Sequence, residues 1–179
     1  MVAIIKLLAL ALTASATPLV HRDVITVEND ITQKIGPQIN QLNKDVNGFP
    51  NSGLTGALAI HGDVQTLAST VNTAISNIRS TGSFGTMSGT TILANIQAVL
   101  PTFLATLVDI GLQEPSWADI QGGTALVLSD LQSLNTAFSN YADAIVGGEP
   151  FLLKAGGLAI KTQITGGFST AIAAYSVLG

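Results

Sequence analysis

Residues 80–108 read STGSFGTMSGTTILANIQAVLPTFLATLV, and no charged side chain falls between Arg79 and Asp109. Within this stretch Ile92, Leu93, Ile96, Val99, Leu100, Phe103, Leu104, Leu107 and Val108 recur at spacings of three and four, the period of one helix face. A surface helix carries Lys, Glu or Arg on its opposite face. This one carries Thr91, Asn95, Gln97 and Thr106 among alanines. It is therefore either buried around much of its circumference or turned toward an apolar ligand or surface. Asn95, Gln97 and Pro101 interrupt it too often for a membrane span, which needs roughly 20 predominantly apolar residues.

The same spacing appears on both sides of it. A first helix is expected from about Asp23 to Val46, with Val24, Val27, Ile31, Ile35, Ile39 and Leu42 in register and a kink at Gly36-Pro37. Gly48 to Gly53 is a loop. A second helix runs from about Leu54 to Arg79 on Leu54, Leu58, Val64, Leu67, Val71, Ile75 and Ile78. The uncharged third runs from near Ser88 to Ile110-Gly111, kinked at Pro101. The fourth is read from Trp117 to Val146, with a short first turn split off at Gly122-Gly123, and the fifth from Pro150 to about Val177. Alternation with a period of two is sustained nowhere, which argues against strands. The expectation is an all-α antiparallel bundle of about five amphipathic helices, with sequential helices as neighbours across short loops and an apolar cavity as an open alternative to a solid core.

Ahead of the bundle, Met1 to Lys6 is a short basic region, Leu7 to Leu12 an apolar run, and Ala14-Ser15-Ala16 a small-residue cleavage signal. This is the pattern of a secretory signal peptide, residues 1–16, cleaved before Thr17, with 17–179 a single domain. Loss of Lys6 with the leader moves the formal charge from −4 to −5. So acidic a chain, with no basic cluster, has no footprint for nucleic acid or an anionic membrane surface. Cysteine is absent, so packing alone holds the fold, and thiol chemistry is excluded. A C-terminal lipid anchor is disfavoured because Ser169, Thr170 and Ser176 interrupt the tail it would need.

The residues offer no catalytic constellation, metal set or cofactor motif. His61 and Asp63, two apart on a helix, point to different faces. Ser83 and Ser88 do not stand in a G-x-S-x-G turn, and the glycines at 82, 85 and 89 lack the lysine of a phosphate loop. Thr70, Thr73, Ser133, Thr136 and Ser139 flank the apolar stripes and are read either as solvated faces or as hydroxyls lining a cavity. Trp117, the only tryptophan, is read as a core or loop anchor.

The leader ending Ala14-Ser15-Ala16-Thr17-Pro18-Leu19-Val20, followed by His21-Arg22-Asp23-Val24, resembles the start of fungal proteins of the hydrophobic surface-binding protein A group, which includes the cell-wall galactomannoproteins. The glycine-rich segment 82–88, the lack of cysteine and Leu134-Asn135-Thr136-Ala137-Phe138 also fit. The resemblance implies a secreted, non-enzymatic helical bundle of the medium or cell wall. Its implied partners are long-chain fatty acids or other lipids, hydrophobic surfaces, and a secreted hydrolase recruited to them.

Two readings follow. In the first, lipid lies in a pocket walled by Leu67, Val71 and Ile75 of the second helix, Ile96, Leu100, Phe103 and Leu104 of the third, Leu131, Leu134 and Phe138 of the fourth, and Ile164, Phe168 and Ile172 of the fifth. In the second, apolar helix faces adsorb to hydrophobic solids without an internal pocket. A solid core would use these same positions, because a cavity is volume left unfilled rather than a residue type.

Overall fold

The computed structural model describes residues 17–176; residues 1–16, where the sequence suggests a leader, and 177–179 lie outside the described residues. All regular structure among the described residues is helical. The elements are α1 (Thr17–Asn29), a π-helical stretch (Asp30–Ile35), α2 (Gly36–Gly48), α3 (Gly53–Thr81), α4 (Thr86–Leu112), α5 (Glu114–Ala118), α6 (Gly123–Gly148), a 3₁₀ turn (Phe151–Leu153) and α7 (Lys154–Ser176).

Gly36-Pro37 resolves differently from the simple kink expected. Pro37 brings no N–H to the helical ladder. The chain accommodates it with the wide turn of the π stretch, in which the Gly36 N–H reaches back to the carbonyl of Ile31. α1, the π stretch and α2 thus form one long first helix. Pro101, by contrast, sits inside a continuous α4.

α2 packs on α3, α3 on α6, α6 on α7, α7 on α4, and α4 back on α2. The five long helices close into a ring. Short loops make neighbours of α2 and α3, and of α6 and α7, as expected. α3 and α4 are consecutive but are not packing partners. Their connection crosses the end of the bundle, where the Phe84 N–H bonds the carbonyl of Gly148 at 2.7 Å. Gly82, at φ +76°, makes the turn that a side chain would strain. The crossing places α4, free of charge up to Asp109, between α7 and α2.

By length and composition alone α4 is long and apolar enough to cross a membrane, contrary to the sequence expectation. Here its apolar stripe is spent on its neighbours instead. Ile92, Leu93, Ile96, Leu100, Phe103, Leu107 and Ile110 are all buried. At the far end of the ring Trp117 stacks on Phe49, with ring centroids 4.5 Å apart. Gln113 Nε2 donates to the carbonyls of Val46 and Phe49 at 2.7 and 3.0 Å, satisfying the end of α2. That end is plugged, and Trp117 is the core anchor its sequence context suggested.

Candidate functional site: an apolar slot inside the ring

Two voids adjoin inside the ring, the larger between the first helix, α4, α6 and α7 and the smaller between α4, α6 and α7. The larger, about 20 Å³, is lined by Ile31, Ile35 and Ile39 of the first helix, by Ile96, Val99, Leu100 and Phe103 of α4, by Phe138 and Tyr141 of α6, and by Ile164 of α7. The smaller, about 10 Å³, is lined by Ile96, Tyr141, Ala142, Ile145, Gly157, Ile160 and Ile164. Ile96, Tyr141 and Ile164 belong to both, so the voids form one interrupted slot.

The π stretch helps to build it. A spacing of four drifts off one face of an ordinary α-helix, and a wider turn takes up that drift. Ile31, Ile35 and Ile39 therefore all reach the slot. Across from them, Gly36 abuts α4: a Cβ placed there would lie 3.1 Å from Val99 Cγ1. An aromatic cluster floors the slot. Phe103 stacks on Phe138 at 4.4 Å and meets Phe168 edge-on at 5.6 Å, and Tyr141 stands edge-on to Phe138 at 6.3 Å.

Of the residues named from sequence, Ile96, Leu100, Phe103, Phe138 and Ile164 line the slot. Leu67, Val71, Ile75, Leu131, Leu134 and Phe168 are buried but do not line it. Leu104 and Ile172 are half-buried beside the core. α3 contributes no wall, because its stripe fills the contacts with the first helix and α6. The contribution missed was the first helix, together with Tyr141. The isoleucines at 31, 35 and 39 were legible as a stripe, but which stripes share a cavity depends on the order of helices around the ring.

The hydroxyl-bearing side chains take the outward reading. Thr73 and Thr136 donate to the carbonyls four residues back, and Thr70 accepts from Gln38 at 3.0 Å. Thr73 and Ser133 border an open, largely polar groove between α3 and α6, of about 560 Å³. Beside it His61 Nδ1 lies 2.9 Å from the Asp130 carboxylate, an ion pair when the ring is protonated, and Gln65 also bonds Asp130. These contacts tie α3 to α6.

Two carboxyl groups sit in unfavourable surroundings. Burial, and then the neighbouring Asp45, push Asp63 up to about 6 from its ordinary 3.8. Burial alone pushes Glu149 up to about 7 from 4.5. Both Glu149 oxygens are buried without a hydrogen-bond partner. A folded-state value above the ordinary one means that the fold favours the protonated acid. The resulting stability is fully present below 3.8 and 4.5 and is lost as the pH rises through about 6 and about 7. The melting temperature is therefore expected to rise on acidification from pH 8 to about pH 5. Glu149→Gln should raise it at pH 8 and leave it unchanged at pH 4, as calorimetry across that range would measure.

The ring has parallels among solved structures. The chain is similar to the structure of Afmp4p in complex with palmitic acid, at 26% identity and a TM-score of 0.79, over 86% of this chain and 99% of that one. It shares its fold with ligand binding domain 1 of the Penicillium marneffei MP1 protein complexed with arachidonic acids, at 14% identity and a TM-score of 0.78, over 86% and 99% of the two chains. Domain 2 of that protein, complexed with multiple arachidonic acids, aligns at 13% identity and a TM-score of 0.77, over 86% and 96%. No curated protein matches the sequence. The family model for hydrophobic surface binding protein A matches residues 24–147, from the first helix to the end of α6. The chain belongs to the hydrophobic surface binding protein A family.

Proposed function

We propose that the chain is a secreted, non-enzymatic carrier that holds a long-chain fatty acid in the slot, within a single domain of residues 17–179 behind a cleaved leader. The observation that carries this reading is the slot itself, two adjoining voids lined by apolar side chains and Tyr141. Its support is the likeness to a palmitic acid complex over 86% of the chain. Small-molecule pockets are concave, mostly apolar and of order 300 Å³ or more. Voids of about 20 and 10 Å³ therefore describe a closed state, and binding must part the helices.

The weak points are in place for that motion. The π stretch and Pro101 each depart from the regular helical hydrogen-bond ladder; the π stretch lends Ile31 and Ile35 to the larger void, and Pro101 lies on α4 between its wall residues Leu100 and Phe103. A ligand selects the open state by the affinity it has for that state alone. Palmitic acid at about a hundredfold excess over its dissociation constant should stabilise the fold by about 2.7 kcal/mol. At about 2–4 °C per kcal/mol for a domain of this size, the melting temperature should rise by roughly 5–10 °C. Native mass spectrometry of the delipidated protein should show the bound acid. No bound species and no shift would dispose of the reading.

Adsorption to hydrophobic surfaces is a second reading with its own observation. Met87, Phe151 and Leu152 are 87%, 87% and 81% exposed. They share one end of the bundle, where Leu153 packs against Gly89. The triple change Met87→Ser, Phe151→Ser and Leu152→Ser should reduce depletion from solution by hydrophobic beads and leave palmitic acid affinity unchanged. If depletion is unaltered, this tip is not the adsorbing surface.

A further inference from the structure

Beside the slot one polar atom is in an unexplained state. Tyr141 belongs to both voids, and its hydroxyl is buried without a hydrogen-bond partner. Buried donors are almost always satisfied, and an unmet one is costly. The other buried tyrosine follows the rule: Tyr175 donates to the carbonyl of Ile110 at 2.6 Å. Asp30 is close enough for its charge to act on Tyr141, yet the hydroxyl does not bond it. The Asp30 oxygens accept instead from Lys34 Nζ at 2.7 Å and Asn77 Nδ2 at 2.6 Å.

The position of this donor along the slot is informative. On one side lie Ile35, Leu100 and Phe103, on the other Ile145 and Ile160. A chain threaded through both voids would have hydrocarbon on each side of the tyrosine and meet one donor between. A carboxylate at that point would be a buried charge with a single donor and with Asp30 nearby, an expensive arrangement. A neutral carbonyl needs only the one hydrogen bond.

Resting on the lipid-binding reading, we propose that Tyr141 donates its hydroxyl hydrogen to an oxygen partway along the bound chain, so that the slot takes neutral lipids with an internal oxygen, long-chain esters foremost. Free fatty acids bind with their carboxyl group elsewhere, toward an end of the slot.

The test compares three ligands on the wild-type chain and on Tyr141→Phe, which keeps the ring and removes the hydroxyl. Octyl octanoate is an isomer of palmitic acid with its oxygens at mid-chain, heptadecane has a similar length and no oxygen, and palmitic acid at neutral pH carries its oxygens at the end. The substitution should weaken octyl octanoate by roughly three- to tenfold and leave heptadecane and palmitic acid within about twofold. An unchanged ester affinity, or equal losses for ester and hydrocarbon, overturns the proposal. So does a loss confined to palmitic acid, which would assign the hydroxyl to a terminal head group. If none of the three binds the wild type, the lipid-binding reading itself falls, and this one with it. The free proteins give an independent readout. Tyr141→Phe should melt no lower than wild type, and a marked drop would mean that the hydroxyl is already satisfied without ligand.

Discussion

Phe103→Ala is expected to cost the fold about 3–5 kcal/mol, the usual range for truncating a fully buried phenylalanine. Phe103 is 1% exposed and is the aromatic ring that touches both Phe138 and Phe168. Its removal therefore withdraws support from three elements at once: α4, α6 and α7. At about 2–4 °C per kcal/mol, the melting temperature should fall by roughly 6–20 °C. The cavity left behind joins the larger void, so palmitic acid should recover more of the lost stability in the variant than it adds to the wild type. Thermal melts with and without the acid measure both effects. A loss below about 1 kcal/mol would mean that the aromatic floor is loosely packed.

Ile96→Trp should have the largest effect on binding. Ile96 lines both voids and is 5% exposed, so a larger side chain there obstructs the slot where its halves meet. Overpacking of this kind costs about 1–3 kcal/mol, which leaves a folded protein to assay. If the indole displaces four methylenes of a bound chain at about 0.8 kcal/mol each, affinity for palmitic acid falls by roughly a hundredfold or more. Titration calorimetry on the variant, paired with circular dichroism to check the fold, reads this directly. Unchanged affinity would move the binding site out of the ring.

Local signals made the helices legible. Spacings of three and four fixed which segments are helical, and Gly48 to Gly53, Gly82 to Gly85 and Gly147 to Pro150 separated them. Ring order was not legible, because a four-residue crossover between α3 and α4 looks like any short loop until Phe84 is seen bonding Gly148. That missing fact explains why the slot's lining differs from the walls expected. Leu67, Val71 and Ile75 have the same spacing as Ile31, Ile35 and Ile39, and only the packing order decides which set meets the slot. Gly36-Pro37 announced a break, but not that the chain would take it up as a π turn, with Gly36 close against Val99. Tyr141 was unremarkable in sequence because an aromatic on an apolar stripe looks like core. Its unmet hydroxyl becomes visible only when every neighbour is in place.

The proposed place of the lipid, inside the ring between the first helix, α4, α6 and α7, is tested most directly by isotope-filtered NMR on protein with labelled Ile, Leu, Val and Met methyl groups. Contacts from the acyl protons of bound palmitic acid should appear at Ile39, Ile96, Leu100 and Ile164 and be absent at Leu67 and Val71 of α3. Contacts confined to Met87 and Leu152 at the exposed tip, with the slot isoleucines silent, would contradict it.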